Sequence, residues 1–379
     1  MSEIPMDSRQ LLTEIIREVH ERQASDLHVA PGSAPMLRIL GDLEPSRLGT
    51  PLTPDQTREL AYMIMRDPVR QRFEERMEVD FSFATQGGGR YRVNVYTQRG
   101  MVNIALRVIP LEVPTIDGLG LPAALKTLAD ERRGLILLAG TTGSGKSTTL
   151  AAIINHINEN RKAHIMTIED PIEFLHHNKK SIVNQRELGL DTLSYGDALR
   201  NVVRQDPNVI LIGEMRDQET MAAAVTSAQT GSLVLSTVHA KDTIQTLTRI
   251  IDMFPAHQQN QIRLQLADSL CGVISQRLLP RADVAGRIPA IEILICNPTV
   301  KKAIENNDLG EVAGQQRQGK FYGMQTYNQA LVQLYNDNKV RLEDAQAAAS
   351  NPEELMLALR GIESQGAGTN AAFTGHYEQ

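Results

Sequence analysis

The chain has 379 residues, 41% of them hydrophobic and 22% charged, with a net charge of -6. These values suit two or three globular domains with at least one large core, and the acidic balance argues against a nucleic-acid binder that works mainly through charge. The two cysteines, Cys271 and Cys296, lack C-x-x-C spacing and sit among apolar residues, so they read as reduced core thiols rather than zinc ligands or a disulfide framework.

The first residues lack the basic start and apolar run of a signal peptide, and no stretch approaches the roughly 18 apolar residues of a membrane span. The expectation is a cytoplasmic chain with no direct membrane insertion. Residues Asp7 to Gln23 place Leu11, Leu12, Ile15, Ile16 and Val19 at helical spacing. Strand-like pieces follow at Asp26–Val29, Met36–Leu40 and Val79–Phe83. Gly87 to Gly89 reads as a hairpin turn between Phe81–Ala84 and Tyr91–Tyr96, and Val102–Ile109 ends at Pro110. Residues 1–110 thus form a small α+β domain whose last hairpin carries Arg90, Arg92, Arg99 and Arg107. Residues 111–122, with two prolines and two glycines, read as a linker.

From Ala123 onward, apolar strands alternate with helical patterns, which predicts an α/β domain over 123–361 with a mostly parallel sheet. Its strands are Leu135–Ala139, His164–Ile168, Val209–Ile212, Leu233–Ser236 and Ile288–Ile295. Helices follow at Tyr327–Tyr335, Leu342–Ala349 and Pro352–Leu359. The Gly-, Ala-, Ser- and Thr-rich residues 362–379 read as a disordered tail.

Gly140-Thr-Thr-Gly-Ser-Gly-Lys-Ser147 matches G-x-x-x-x-G-K-[ST] and stands between a strand and a helix, the context in which such a loop binds a nucleoside triphosphate. Glycines let the backbone N–H groups of Thr142, Gly143, Ser144, Gly145 and Thr148 face a phosphate, and the helix N-terminus adds favourable dipole charge. Lys146 would reach the β- and γ-phosphates, and Ser147 would offer its hydroxyl to Mg²⁺.

Further candidates stand at strand ends. Glu169 follows His164–Ile168 and would orient or deprotonate the attacking water. Glu214 follows Val209–Ile212 and Gly213; it would act through water on Mg²⁺ or help polarise the nucleophile. His239, just past Leu233–Ser236, would hydrogen-bond a γ-phosphate or sense its loss. Arg92 and Arg107, fifteen residues apart on neighbouring strands, suit an outside charge clamp on phosphate oxygens. His176 and His177 lack metal partners in sequence and read as surface residues.

These blocks resemble the secretion-type ATPases, and within them the pilus-retraction or twitching-motility ATPases. The resemblance spans residues 8–361. It rests on Ser25-Asp-Leu-His28, Arg90-Tyr-Arg-Val-Asn94, Leu106-Arg-Val-Ile-Pro110, Gly140–Ser147, Thr167–Glu173, Gln185–Gly189, Arg204–Asn208, Ile212–Asp217, Thr230–His239 and Gly323–Thr326. It implies a PAS-like α+β domain joined to a RecA-like ATPase domain with a helical C-terminal part, assembled as a homohexamer that hydrolyses MgATP. It also implies an inner-membrane platform protein as partner, a paralogous pilus ATPase as a further one, and a location at the cytoplasmic face of the membrane at the pilus base. On the family's motifs Lys146 is the phosphate-loop lysine, Glu169 the Asp-box and Glu214 the Walker B glutamate, and Arg92 and Arg107 the arginine fingers. Two features depart from the pattern. Ser232 stands where a second histidine is usual, and the C-terminal A-I-R-N-L-I-R-E motif is not recognisable, with Val300–Glu305 the nearest stretch. An accessory retraction ATPase is the alternative, and an extension or type II secretion ATPase another. Extension and secretion relatives carry a long extra N-terminal domain and a four-cysteine zinc element, so retraction is favoured. A nucleic-acid translocase and a non-hydrolysing scaffold are the competing classes.

Overall fold

The computed structural model describes residues 7–85, 89–110 and 112–361. Two of the glycines in the expected hairpin turn, Gly87 and Gly88, and the expected tail at 362–379 lie outside them. The chain divides into two compact units, Met1–Val113 with Pro171–Leu175, and Pro114–Asp170 with His176–Gln379.

In the first unit, α1 (Ser8–Glu21) precedes β1 (Asp26–Val29), β2 (Met36–Ile39) and β3 (Asp42–Pro45). Helices α2 (Pro54–Ile64) and α3 (Asp67–Arg76) then lead to β4 (Glu78–Ala84), β5 (Arg90–Gln98) and β6 (Met101–Ile109). The six strands are antiparallel in the order β3-β2-β1-β6-β5-β4. One face is apolar. Along β5, Tyr91, Val93 and Val95 alternate inward against Ile15, Leu60 and Phe73 of the helices, and this leaves Arg92 on the opposite face. Arg99 and Gly100, both at positive φ, close the tight β5–β6 hairpin. Helices α2 and α3 escaped the sequence reading because α3 buries only Val69 and Phe73. The signal for α2 lies in its cap. Thr53 Oγ1 accepts the Gln56 N–H at 3.2 Å, and Gln56 Oε1 accepts the Thr53 N–H at 2.9 Å.

The second unit opens with α4 (Ala124–Ala129), β7 (Gly134–Ala139), α5 (Lys146–Asn160), β8 (His164–Glu169), β9 (Ile182–Glu187) and α6 (Tyr195–Val202). It continues through β10 (Val209–Ile212), α7 (Gln218–Gln229), β11 (Leu233–Val238), α8 (Thr243–Asp252), α9 (Ala256–Ser269), β12 (Leu270–Pro280) and β13 (Arg287–Ile295). Five helices end it: α10 (Pro298–Glu305), α11 (Leu309–Gln318), α12 (Tyr327–Asn336), α13 (Leu342–Ala348) and α14 (Pro352–Leu359). The sheet order is β13-β12-β7-β11-β10-β8-β9, parallel throughout except for β13, which pairs antiparallel with β12.

Both faces are covered. Leu135 and Leu137 of β7 point into one core with Ile210, Val234 and Val273, while Ile136 and Leu138 join Leu211, Leu235 and Ile274 in the other. That explains the unbroken apolar runs of these strands. A smaller core of Leu279, Ile288, Tyr327, Leu331 and Leu355 lies beneath α12–α14. There Arg277 of β12 stacks on the Tyr327 ring, 4.0 Å from its centroid, and donates to the Ala348 carbonyl. Ile116 and Leu121, within the expected linker, are buried in the core against β7 and α5.

Candidate active site

Strand β7 delivers the chain to Gly140, and α5 begins at Lys146. The loop between them is built on glycines. A Cβ at Gly140 would lie 2.5 Å from Ser144 Oγ, whereas Gly143, at φ +76°, has open space around it. Gly145 holds the helix cap at φ 88° and supplies no side-chain cap, so the first N–H groups of α5 are left for another acceptor. Lys146 Nζ folds back to donate to Gly140 O and Thr141 O, both at 2.9 Å. Ser144 is buried, and its Oγ has no partner among the described residues. Thr142 and Gly143 are exposed, and Ser147 and Thr148 are half-buried. A glycine cradle, a helix N-terminus, a lysine parked on loop carbonyls and an orphaned hydroxyl fit a polyphosphate.

The other candidates arrive at the same edge through strand register. Val238 of β11 stands beside Ala139 of β7, Ile212 of β10 beside Ser236 of β11, and Ile168 of β8 beside Ile212. Lys146, Glu169, Glu214 and His239 therefore gather at the carboxyl ends of β7, β8, β10 and β11, where open α/β sheets bind ligands. One oxygen of Glu169 accepts from Thr167 Oγ1 at 2.6 Å and from Gln185 Nε2 at 3.0 Å, which fixes its aim. Glu214 is mostly enclosed. Arg216 lies 2.6 Å from its Oε1, and His239 Nε2 is 3.7 Å from its Oε2. Burial and the Lys146 charge lower the His239 pKa against the pull of Glu214, so the imidazole is neutral at pH 7. Among the described residues no three His, Cys, Asp or Glu side chains cluster as a metal cage. A Ser147 hydroxyl with a Glu214 carboxylate still suits Mg²⁺, which keeps most of its waters and leans on substrate phosphates.

Arg92 and Arg107 belong to the first unit, where they stand directly opposite each other on β5 and β6. Arg107 Nε donates to Asp26 Oδ1 at 2.7 Å, and Arg38 Nε lies 3.9 Å from Asp26 Oδ2. Burial works to raise the Asp26 pKa, but hydrogen bonds from Arg107 and Ser25 outweigh it and hold the carboxyl below its usual range.

One surface assignment is corrected. His177 is exposed, but His176 is half-buried with its Nδ1 shut away from solvent; burial, aided by Lys179 and His177, pushes its pKa down to about 4. Two further residues were missed by sequence reasoning. Tyr195 of α6 holds a buried hydroxyl with no partner among the described residues, and a Cβ at Gly213 would lie 2.9 Å from it. Burial first, then Asp170, Glu214 and Glu169, raise that phenol's pKa. Gln276 of β12 donates to Ser144 O. The signal for that strand is the apolar Leu270–Ile274 run.

Residues 6–370 match the family model described as type II/IV secretion system protein. The chain belongs to that family. Among its members it is 42% identical to the type IV pilus ATPase PilU of Pseudomonas aeruginosa over 92% of each chain. It is also 42% identical to the type IV pilus retractation ATPase PilT of the same organism, over 91% of this chain and 99% of that one. A crystal structure of the pilus retraction motor PilT with bound ADP superposes with a TM-score of 0.85 at 47% identity, covering 90% of this chain and 98% of that one. Like other type II/IV secretion proteins, the chain pairs an N-terminal α+β domain with an α/β ATPase domain, and it is an ATPase.

Proposed function

We propose that this chain is the ATP-hydrolysing motor of a type IV pilus and powers retraction of the filament for twitching motility. The observation that carries the reading is the meeting of Lys146, Glu169, Glu214 and His239 at one sheet edge, in a chain 42% identical to a retractation ATPase across 99% of that protein. Backbone N–H groups from Thr142 to Thr148 and the Lys146 ammonium hold the triphosphate. Glu169, aimed by Thr167 and Gln185, takes up or orients the proton of the attacking water. Ser147 and Glu214 would hold Mg²⁺, which would neutralise charge on the phosphate oxygens. The neutral His239 beside Glu214 reports whether the γ-phosphate is present. Arg92 and Arg107 supply the charge clamp of the transferring group.

The working assembly is a homohexamer at the cytoplasmic face of the inner membrane, pushing on a platform protein at the pilus base. Among the described residues no helix is long and apolar enough to cross a membrane. The N-terminal α+β domain moves as nucleotide is cleaved in the ATPase domain. A second reading has one observation in its favour. PilU is matched at the same 42% identity, over 92% of its length, so an accessory retraction ATPase working beside a paralogue fits as well.

Two measurements test the reading. Purified protein should hydrolyse ATP without stimulation by single-stranded DNA, in keeping with its acidic balance. Deletion of the gene should leave hyperpiliated, non-motile cells. Bald cells would mean extension, and normal pili would point to an accessory role.

A further inference from the structure

Gln276 is 2% exposed and lies one residue beyond the last pairing of β12 with β7, Ser275 beside Ala139. Both ends of its carboxamide are committed to the phosphate loop and the helix behind it. Nε2 donates to Ser144 O at 2.7 Å, and Oε1 accepts the Thr149 hydroxyl at 2.7 Å. The fit is close. A Cβ at Gly145 would lie 2.7 Å from Gln276 Nε2, and one at Gly140 would lie 2.7 Å from the Gln276 carbonyl oxygen. Glycine is thus required at 140 and 145 by this side chain and strand as well as by backbone conformation.

The bond to Ser144 has a directional consequence. A trans peptide is planar, with its C=O and N–H pointing opposite ways. The Ser144 carbonyl is turned toward β12, so the N–H of Gly145 is turned away from that strand. We propose that Gln276 is a positioning residue for the triphosphate: one end of its amide aims the Gly145 N–H at the phosphate, and the other sets the start of α5 against that loop through Thr149. Satisfied at both ends and sealed from water, the amide resists rotation more firmly than an exposed one would. The proposal rests on the nucleotide-site reading above.

Equilibrium binding of a fluorescent ADP analogue to the full-length protein tests it, alongside thermal unfolding without nucleotide. Gln276→Ala should weaken binding about tenfold, the worth of a buried hydrogen bond pair. Gln276→Glu should weaken it more, because a carboxylate oxygen then faces the Ser144 carbonyl and adds negative charge beside the phosphate site. Thr149→Val, which cuts one anchor, should cost about threefold and add nothing once Gln276 is alanine. Each variant leaves a buried polar partner unpaired, so nucleotide-free unfolding temperatures should fall by a few degrees, most in Gln276→Glu; the loss of nucleotide affinity in protein that is still folded is what marks positioning. If Gln276→Ala does not fold, Thr149→Val carries the test, and unchanged binding there overturns the proposal. Unchanged binding in Gln276→Glu, or a lowered unfolding temperature with unchanged binding, makes Gln276 a packing residue only. Failure of the wild type to bind the analogue would bring down the nucleotide reading itself.

Discussion

Arg107 points its guanidinium along the sheet and donates through Nε to the carboxylate of Asp26, 2.7 Å away on the neighbouring strand. Arg107 is 70% exposed, so solvent screens the pair, and its worth is about 1 kcal/mol. What the bond fixes is the direction of the guanidinium, on which the proposed charge clamp depends. Asp26→Asn should therefore cost about 1 kcal/mol of stability at pH 7 and lower ATPase turnover several-fold at unchanged ADP affinity. The folded pKa of Asp26 lies below its ordinary 3.8, so its contribution is present above pH 3.8 and is lost as pH falls through the folded value. Chemical denaturation at pH 7 and pH 3 reads this out: the gap between wild type and variant should narrow at the lower pH.

Lys146→Ala should abolish measurable turnover, because the side chain that bridges the loop carbonyls is the cation meant for the β- and γ-phosphates. Steady-state phosphate release checks it, and an unchanged kcat would remove Lys146 from the chemistry.

Glu169→Gln preserves the acceptor oxygen used by Thr167 and Gln185, so the loop and nucleotide affinity should hold while kcat drops by about 10²–10³. Binding and turnover measured together separate the two effects. Parallel loss of both would make Glu169 a binding residue.

Tyr195 and Gly213 should prove coupled. Tyr195→Phe deletes a buried hydroxyl that finds no partner among the described residues, so the unfolding temperature should stay level or rise. Gly213→Ala places a methyl 2.9 Å from that hydroxyl and should cost about 1–3 kcal/mol. In the double variant part of that loss should return; strictly additive unfolding energies would deny the contact.

Glu292 is buried in β13, where its Oε2 accepts the Thr243 N–H at 2.9 Å, and burial raises its pKa to about 7. A carboxyl raised in the folded state favours folding while protonated, so stability falls as pH climbs from the unfolded value of 4.5 through about 7. Glu292→Gln should be nearly neutral at pH 5 and should stabilise by up to about 3 kcal/mol at pH 8. Urea melts at the two pH values decide it.

The phosphate loop was legible because four positions within eight residues are constrained by one task, and the strands around it because burial on both faces writes an unbroken apolar run. Strand ends were legible to within two residues, so Glu169, Glu214 and His239 could each be read as standing at or just beyond one. Strand β12 was not. Its Ser275-Gln-Arg277 segment breaks the apolar run with side chains whose partners, Lys241, Ser144, Thr149 and Tyr327, are distant in sequence. The partial burial of His176 was hidden for the same reason. A polar neighbourhood in sequence says nothing about what later folds over it, and the ring's surroundings are set by tertiary packing.

The stacking of Arg277 on Tyr327 acquires a meaning beyond the small core it covers. Neighbouring residues of a strand face opposite ways, so Gln276 grips the phosphate loop while Arg277, next to it, grips α12 and the end of α13. A single stiff rod thus has the fuel cup bolted to one side and the terminal helices to the other. Tilting those helices would wrench the cup, and damage near Tyr327, remote from any phosphate, would surface as a fault in nucleotide grip.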